Sequence, residues 1–162
     1  MKESSIVHST FVLERSYPKT AESVFTAFAN IDLKRRWYAE GDGNELEQFD
    51  LDFRVGGIEN YRYKLKPGTP VAGMVITNES RYHVIVPDLH IVSSATMDLG
   101  EKRILVALVT VQFQSSASGT ELTLTHQGTY LDGINGLTPQ MLEIGWSKLL
   151  DNLHIELTRL GQ

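Results

Sequence analysis

The chain has 162 residues, 41% of them hydrophobic, 22% charged and 9% aromatic, and no cysteine; this is the make-up of one globular domain and excludes disulfides, thiolate metal centres and a thiol nucleophile. Its 15 Lys and Arg against 20 Asp and Glu leave a net charge of −5, the wrong sign for a surface that neutralises phosphates, so nucleic acid is not an expected partner. No apolar run approaches the roughly 20 residues of a membrane span, and the opening Met1-Lys2-Glu3-Ser4-Ser5-Ile6 lacks the apolar stretch of a signal peptide, so membrane insertion is not expected and a soluble cytoplasmic protein is.

No linker-like tract, repeat or low-complexity segment divides the chain, and residues 1–162 read as a single domain. Residues 7–16 predict a strand centred on Phe11, Val12 and Leu13, ended by Pro18. Thr20 is the N-cap of a helix whose apolar face is Val24, Phe25, Ala27 and Phe28, and Asp32 is the expected cap of a second short helix carrying Trp37 and Tyr38. The run Lys34-Arg35-Arg36 reads as the solvated surface of that helix, and Ala39–Asn44 as a loop.

Strands follow at Glu47–Phe53, Ile58–Lys66, Val71–Tyr82, His90–Asp98, Arg103–Gln114 and Thr120–Gly128. They are separated by Gly56-Gly57, Pro67-Gly68, Pro87-Asp88, Gly100 and Ser118-Gly119, turn signals short enough to make consecutive strands antiparallel. Tyr61, Tyr63 and Leu65 share one face of their strand, and Leu122, Leu124 and His126 share one face of the last. Thr138-Pro139 then opens an amphipathic helix of about 22 residues, roughly 33 Å long, with Leu142, Trp146, Leu149, Leu150, Leu153, Leu157 and Leu160 as its apolar stripe. Gly145 inside it costs about 1 kcal/mol against Ala, which predicts that a strand or a ligand approaches closely there. The expected fold is α+β: a curved antiparallel sheet of about seven strands wrapped around the long C-terminal helix, with two short helices after the first strand. The space between sheet and helix is then either filled by side chains or left as a pocket.

Phe11-Val12-Leu13-Glu14-Arg15-Ser16-Tyr17-Pro18 followed by Val24-Phe25-Thr26-Ala27-Phe28, Trp37-Tyr38, Phe53-Arg54-Val55-Gly56-Gly57, Leu122-Thr123-Leu124-Thr125-His126-Gln127-Gly128 and the helix bearing Gly145-Trp146 resemble, in order and spacing, the SRPBCC (START-like, helix-grip) superfamily. The nearest branch is the one named after the activator of heat-shock-protein ATPase. The resemblance spans about residues 7–160. It implies the helix-grip fold and a cavity that often holds an apolar or amphipathic small molecule. It implies no reaction, because the superfamily includes carriers, cyclases and co-chaperone domains, and fold does not determine function.

Motifs with a mechanism of their own are lacking. HExxH, GxSxG, Walker A and GxGxxG do not occur, and the five histidines have no metal-ligand spacing; no cofactor and no metal are expected. Asp50 and Asp52 on one strand face read as solvated rather than as a cation site. Trp37 and Trp146 are candidate pocket walls, with core packing as the plainer alternative for each. Tyr61, Tyr63, Met74, Met97 and Phe113 are expected to point inward, either lining a mixed apolar pocket or filling a core; Leu149 belongs with them on the helix. His126 on an apolar face needs a partner, either a ligand or, more simply, a neighbouring Tyr or Glu. Glu59 has the parity of Tyr61 and Tyr63 and is the acid expected beside His126, the one catalytic pair the residues suggest.

Three functions are carried forward. The first is binding of a hydrophobic or amphipathic small molecule between sheet and helix, through Trp37, Tyr61, Tyr63 and Trp146. The second is an enzyme, cyclase- or hydrolase-like, using His126 and Glu59 on a hydrophobic substrate. The third is a chaperone-associated or homodimerising interaction module with a filled interior.

Overall fold

The computed structural model describes residues 5–40, 44–68, 72–131 and 137–159. β1 (Val7–Tyr17) leads into α1 (Ala21–Ala29) and α2 (Ile31–Lys34), which runs on into a π-helical turn (Arg35–Ala39). Then come β2 (Glu45–Leu51), β3 (Ile58–Lys64), β4 (Val75–Val86), β5 (His90–Leu99), β6 (Lys102–Ser116), β7 (Gly119–Tyr130) and α3 (Pro139–Arg159). The seven strands form one antiparallel sheet in the order β1-β7-β6-β5-β4-β3-β2. It is curved and open, and α3 lies against it in the helix-grip manner. Every neighbouring pair from β2 to β7 is a hairpin; only β1 crosses over, to pair along its whole length with β7.

Local chemistry accounts for the element ends. Thr20 caps α1, its hydroxyl accepting from the Ser23 amide at 3.1 Å, and Thr138 does the same for the Met141 amide at the start of α3. α2 is capped by Asn30 rather than by Asp32: the Asn30 Oδ1 accepts from the Asp32 and Leu33 amides at 3.0 and 3.1 Å. Asn30 has the extended backbone a cap requires, whereas Asp32 is already inside the helix. β4 begins at Val75, later than the expected Val71, because the chain is still turning at Gly73, whose φ is 84° and whose amide bonds back to the Leu65 carbonyl. Val71, the Gly41–Gly43 part of the expected loop and Leu160 lie outside the described residues.

The core sits under α1 and the C-terminal half of α3, where Leu13, Val111, Phe113, Leu122 and Leu124 from the sheet meet Val24, Phe25 and Phe28 of α1 and Leu150, Leu153 and Leu157 of α3. Polar clamps fix the helix. The Tyr17 hydroxyl donates to the Leu150 carbonyl at 2.8 Å, Arg36 pairs with the buried Glu156 at 2.7 Å, and Arg15 donates to the Ser147 hydroxyl at 2.6 Å. The basic run 34–36 is therefore no solvated surface: Lys34 is buried and Arg36 holds α3.

The cap at Asn30 orders the short segment that carries Lys34. Asn30→Ala is expected to lose about 1 kcal/mol of stability and Asp32→Ala far less, a contrast that urea unfolding of the two variants measures.

Candidate functional site

α3 is seated over only part of its length. Its fully buried residues are Leu150, Leu153, Glu156 and Leu157, all in the C-terminal half; upstream, Leu142, Trp146 and Leu149 are half-buried. Beneath that upstream half lies a cavity of about 160 Å³. Alternation along the strands determines what faces it. One row across the sheet runs Tyr61, Asn78, Met97, Leu105, and the next but one runs Tyr82, Ser93, Val109, His126; all eight line the space. The helical side supplies Trp146, Leu149 and the backbone of Gly145.

The wall is aromatic and polar in separate places. Tyr38, delivered by the π-helical turn, sits 5.8 Å from the Trp146 ring and 5.2 Å from Tyr61, which in turn lies 4.8 Å from Tyr63. π-Helical turns of this kind are frequent at functional sites. The turn's five-residue period is closed by the Glu40 amide on the Arg35 carbonyl. Beside this aromatic group is a buried ion pair. Glu59 is 3% exposed and Lys34 7% exposed, with Lys34 Nζ 2.5 Å from Glu59 Oε1. The Tyr82 hydroxyl donates to the same oxygen at 2.8 Å, and Lys34 Nζ lies 4.9 Å above the Tyr38 ring. Burial, and then the Glu59 carboxylate, push the Tyr38 and Tyr82 phenols far above their usual range, so both stay protonated as donors at any ordinary pH.

His126 lies toward the opposite edge of the sheet, on β7. It is 2% exposed, its ring stacks on Phe11 at 4.8 Å and 4°, and Gly128 two residues on leaves room for it. A Cβ on Gly128 would stand 3.1 Å from the imidazole and 2.8 Å from the Tyr130 ring. The expectation that a neighbouring Tyr or Glu satisfies His126 is not met at Nδ1, which is buried and has no hydrogen-bond partner among the described residues. An unmade bond of that kind costs roughly 1–3 kcal/mol. Burial lowers the His126 pKa to about 4, leaving the ring neutral at physiological pH.

The cavity brings together Glu59, Tyr61, Tyr63, Met97, His126, Trp146 and Leu149. Three expected site residues stand elsewhere. Trp37, 1% exposed, is core: its indole donates to the Ala27 carbonyl at 2.8 Å and its ring packs on Phe28. Phe113 is held edge-on by Phe25 and Phe28. Met74 precedes β4 and is 40% exposed, because the strand starts one residue later. The suggested pairing of Glu59 with His126 is also absent among the described residues, since Glu59 is taken by Lys34 and Tyr82. Around Gly145 the expected close approach is replaced by open space: an added Cβ would meet nothing within 4 Å. Lys34, Tyr38 and Tyr82 are the residues that sequence reasoning passed over. The spacing of four between Lys34 and Tyr38 was a usable sign that both share one helical side. Asp50 and Asp52 are engaged by Gln48 and Arg54. Among the described residues no three His, Asp or Glu side chains are grouped to hold a metal ion, and no helix is long and apolar enough to cross a membrane.

Residues 18–158 match the family model of the Activator of Hsp90 ATPase homolog 1-like proteins. The chain belongs to this family. Its fold is that of the SRPBCC superfamily, as the order of motifs implied. It is similar to a solved uncharacterised protein from Rhizobium leguminosarum, with 32% identity and a TM-score of 0.87 over 98% of this chain and 99% of that one. It also resembles the Mll3558 protein of Rhizobium loti, at 38% identity and a TM-score of 0.82 over 94% and 99% of the two chains. An AHSA1-like protein from Aeromonas hydrophila, 22% identical with a TM-score of 0.64 over 94% of each chain, shares the fold. No curated protein matches the sequence.

Two expectations test the polar groups. Lys34→Met strands the buried Glu59 carboxylate and is expected to cost about 3–5 kcal/mol, while Lys34→Met with Glu59→Gln recovers most of that loss; denaturant unfolding of the single and double variants gives the comparison. His126 titrates near 6.5 when unfolded and near 4 when folded. In between, the unfolded chain binds the proton more readily, so acid destabilises the fold. About 3 kcal/mol of stability tied to this residue disappears between pH 7 and pH 4. The stability profile of His126→Phe is expected to be flatter by that amount over the same interval.

Proposed function

We propose that this family member binds a small amphipathic molecule between the sheet and α3. The observation that carries the reading is the cavity beneath the upstream half of α3, bounded by Tyr61, Tyr63, Met97, Trp146 and Leu149, with the Lys34–Glu59–Tyr82 cluster at one side. Its volume is about that of an engineered apolar cavity that accepts benzene, so the reading is of a ligand with one ring or a short chain. The helix-grip superfamily commonly holds hydrophobic ligands, and this agrees with that habit. The wall is of the mixed apolar and polar kind that the sequence suggested as one alternative. Aromatic faces would hold the body of the ligand, and the buried polar atoms would orient it. Gly145 is exposed as well as cavity-lining, which makes the turn of α3 around it the natural way in.

An enzyme working through His126 and Glu59 is less well supported, because a general acid and base must reach a common substrate atom and Glu59 is engaged by Lys34 and Tyr82. The test of binding is native mass spectrometry of freshly purified protein, alone and after incubation with single-ring aromatic compounds. The expected result is a noncovalent adduct on the wild-type chain that Gly145→Trp abolishes, the indole filling the space. Gly145→Ala is expected to stabilise the apo protein by about 1 kcal/mol. Absence of any adduct on the wild type, or an adduct indifferent to Gly145→Trp, would overturn the reading.

A further inference from the structure

Three buried side-chain atoms lack a hydrogen bond among the described residues: Arg35 Nε, Tyr130 Oη and His126 Nδ1. Only His126 belongs to the cavity wall. Its ring is held flat against Phe11, which fixes the plane of the imidazole. The charged groups of the wall are already paired. Lys34 and Glu59 neutralise one another, and Tyr82 donates to Glu59. The wall therefore offers no uncompensated charge, and an ion brought into it would be desolvated without a counter-ion.

Resting on the binding reading above, we propose that the ligand is an uncharged single-ring aromatic alcohol or phenol whose hydroxyl hydrogen-bonds the His126 imidazole. The ring follows from the volume of about 160 Å³ and from the faces of Tyr61, Tyr63 and Trp146. The hydroxyl follows from the imidazole: a neutral histidine presents either N–H or a lone pair, and a hydroxyl, which both donates and accepts, matches either tautomer. The absence of charge follows from the balanced ion pair. His126 is thus a specificity residue that selects a hydroxyl-bearing ring over a bare one, since a buried group left unpaired penalises the wrong ligand.

Isothermal titration at neutral pH with phenol, toluene, benzoate and benzylamine, on the wild type and on His126→Phe, tests this. The wild type is expected to bind phenol about tenfold more tightly than toluene and to give no heat with benzoate or benzylamine. In His126→Phe the phenol affinity falls to that of toluene, whose own affinity is unchanged; His126→Leu serves as a second replacement if the first does not fold. Toluene binding as well as phenol in the wild type, a phenol preference that survives both replacements, or benzoate or benzylamine binding as tightly as phenol would each overturn the proposal while leaving the cavity as a binding site. Failure of both phenol and toluene to bind would overturn it together with the binding reading.

Discussion

The cavity exists because α3 is gripped along only half of its length. Its C-terminal half has leucines at each position that meets the core, and those residues are fully buried. Its first half meets a part of the sheet whose inward positions on β4 and β5 include Asn78, Ser80 and Ser93. Short polar side chains cannot fill the height between a helix and a sheet, and they give an apolar stripe nothing to pack on. Leu142, Trp146 and Leu149 therefore stay half-buried over a gap. The clamps at Tyr17, Arg36 and Arg15 keep the helix from settling into it. Rigid seating at one end is thus what keeps the other end open.

The buried polar groups divide the cavity into two chemically distinct ends. At the β3 and β4 end, Glu59 gathers Lys34 and the Tyr82 hydroxyl onto one oxygen. Such a pair contributes little net stability but is costly to break, so it acts as a fixed, charge-balanced fitting that ties α2 to the sheet. At the β7 end, His126 is neutral and stacked, and its Nδ1 has no hydrogen-bond partner among the described residues. Folded domains rarely leave a buried nitrogen without a partner, and the residue that carries this one lines the cavity.

Membership of the family and likeness to the rhizobial structures account for the scaffold. They leave its chemistry to individual side chains, because one fold hosts many functions. In this chain that chemistry comes from the concave face: a lysine carried in by a four-residue helix, a tyrosine placed by a π-helical turn, and a histidine seated by the bareness of Gly128.

The sequence by itself determined the element order, the antiparallel pairing and the long amphipathic helix, because turn residues and apolar periodicity are local properties that survive in one dimension. Alternation also placed Glu59, Tyr61, Tyr63, Met97 and His126 on the inward face, since strand parity does not depend on what the strand packs against. Only the tertiary structure decided depth and partnership. Trp37 and Phe113 became core and Met74 became exposed through the position of α1 and the late start of β4. The basic run at 34–36, solvated by any local reading, was drawn inward because Glu59 and Glu156 lie opposite it, 25 and 120 residues away in the chain. Charge pairing and cavity formation depend on which distant residues are brought within a few ångströms, and no spacing along the chain encodes that distance.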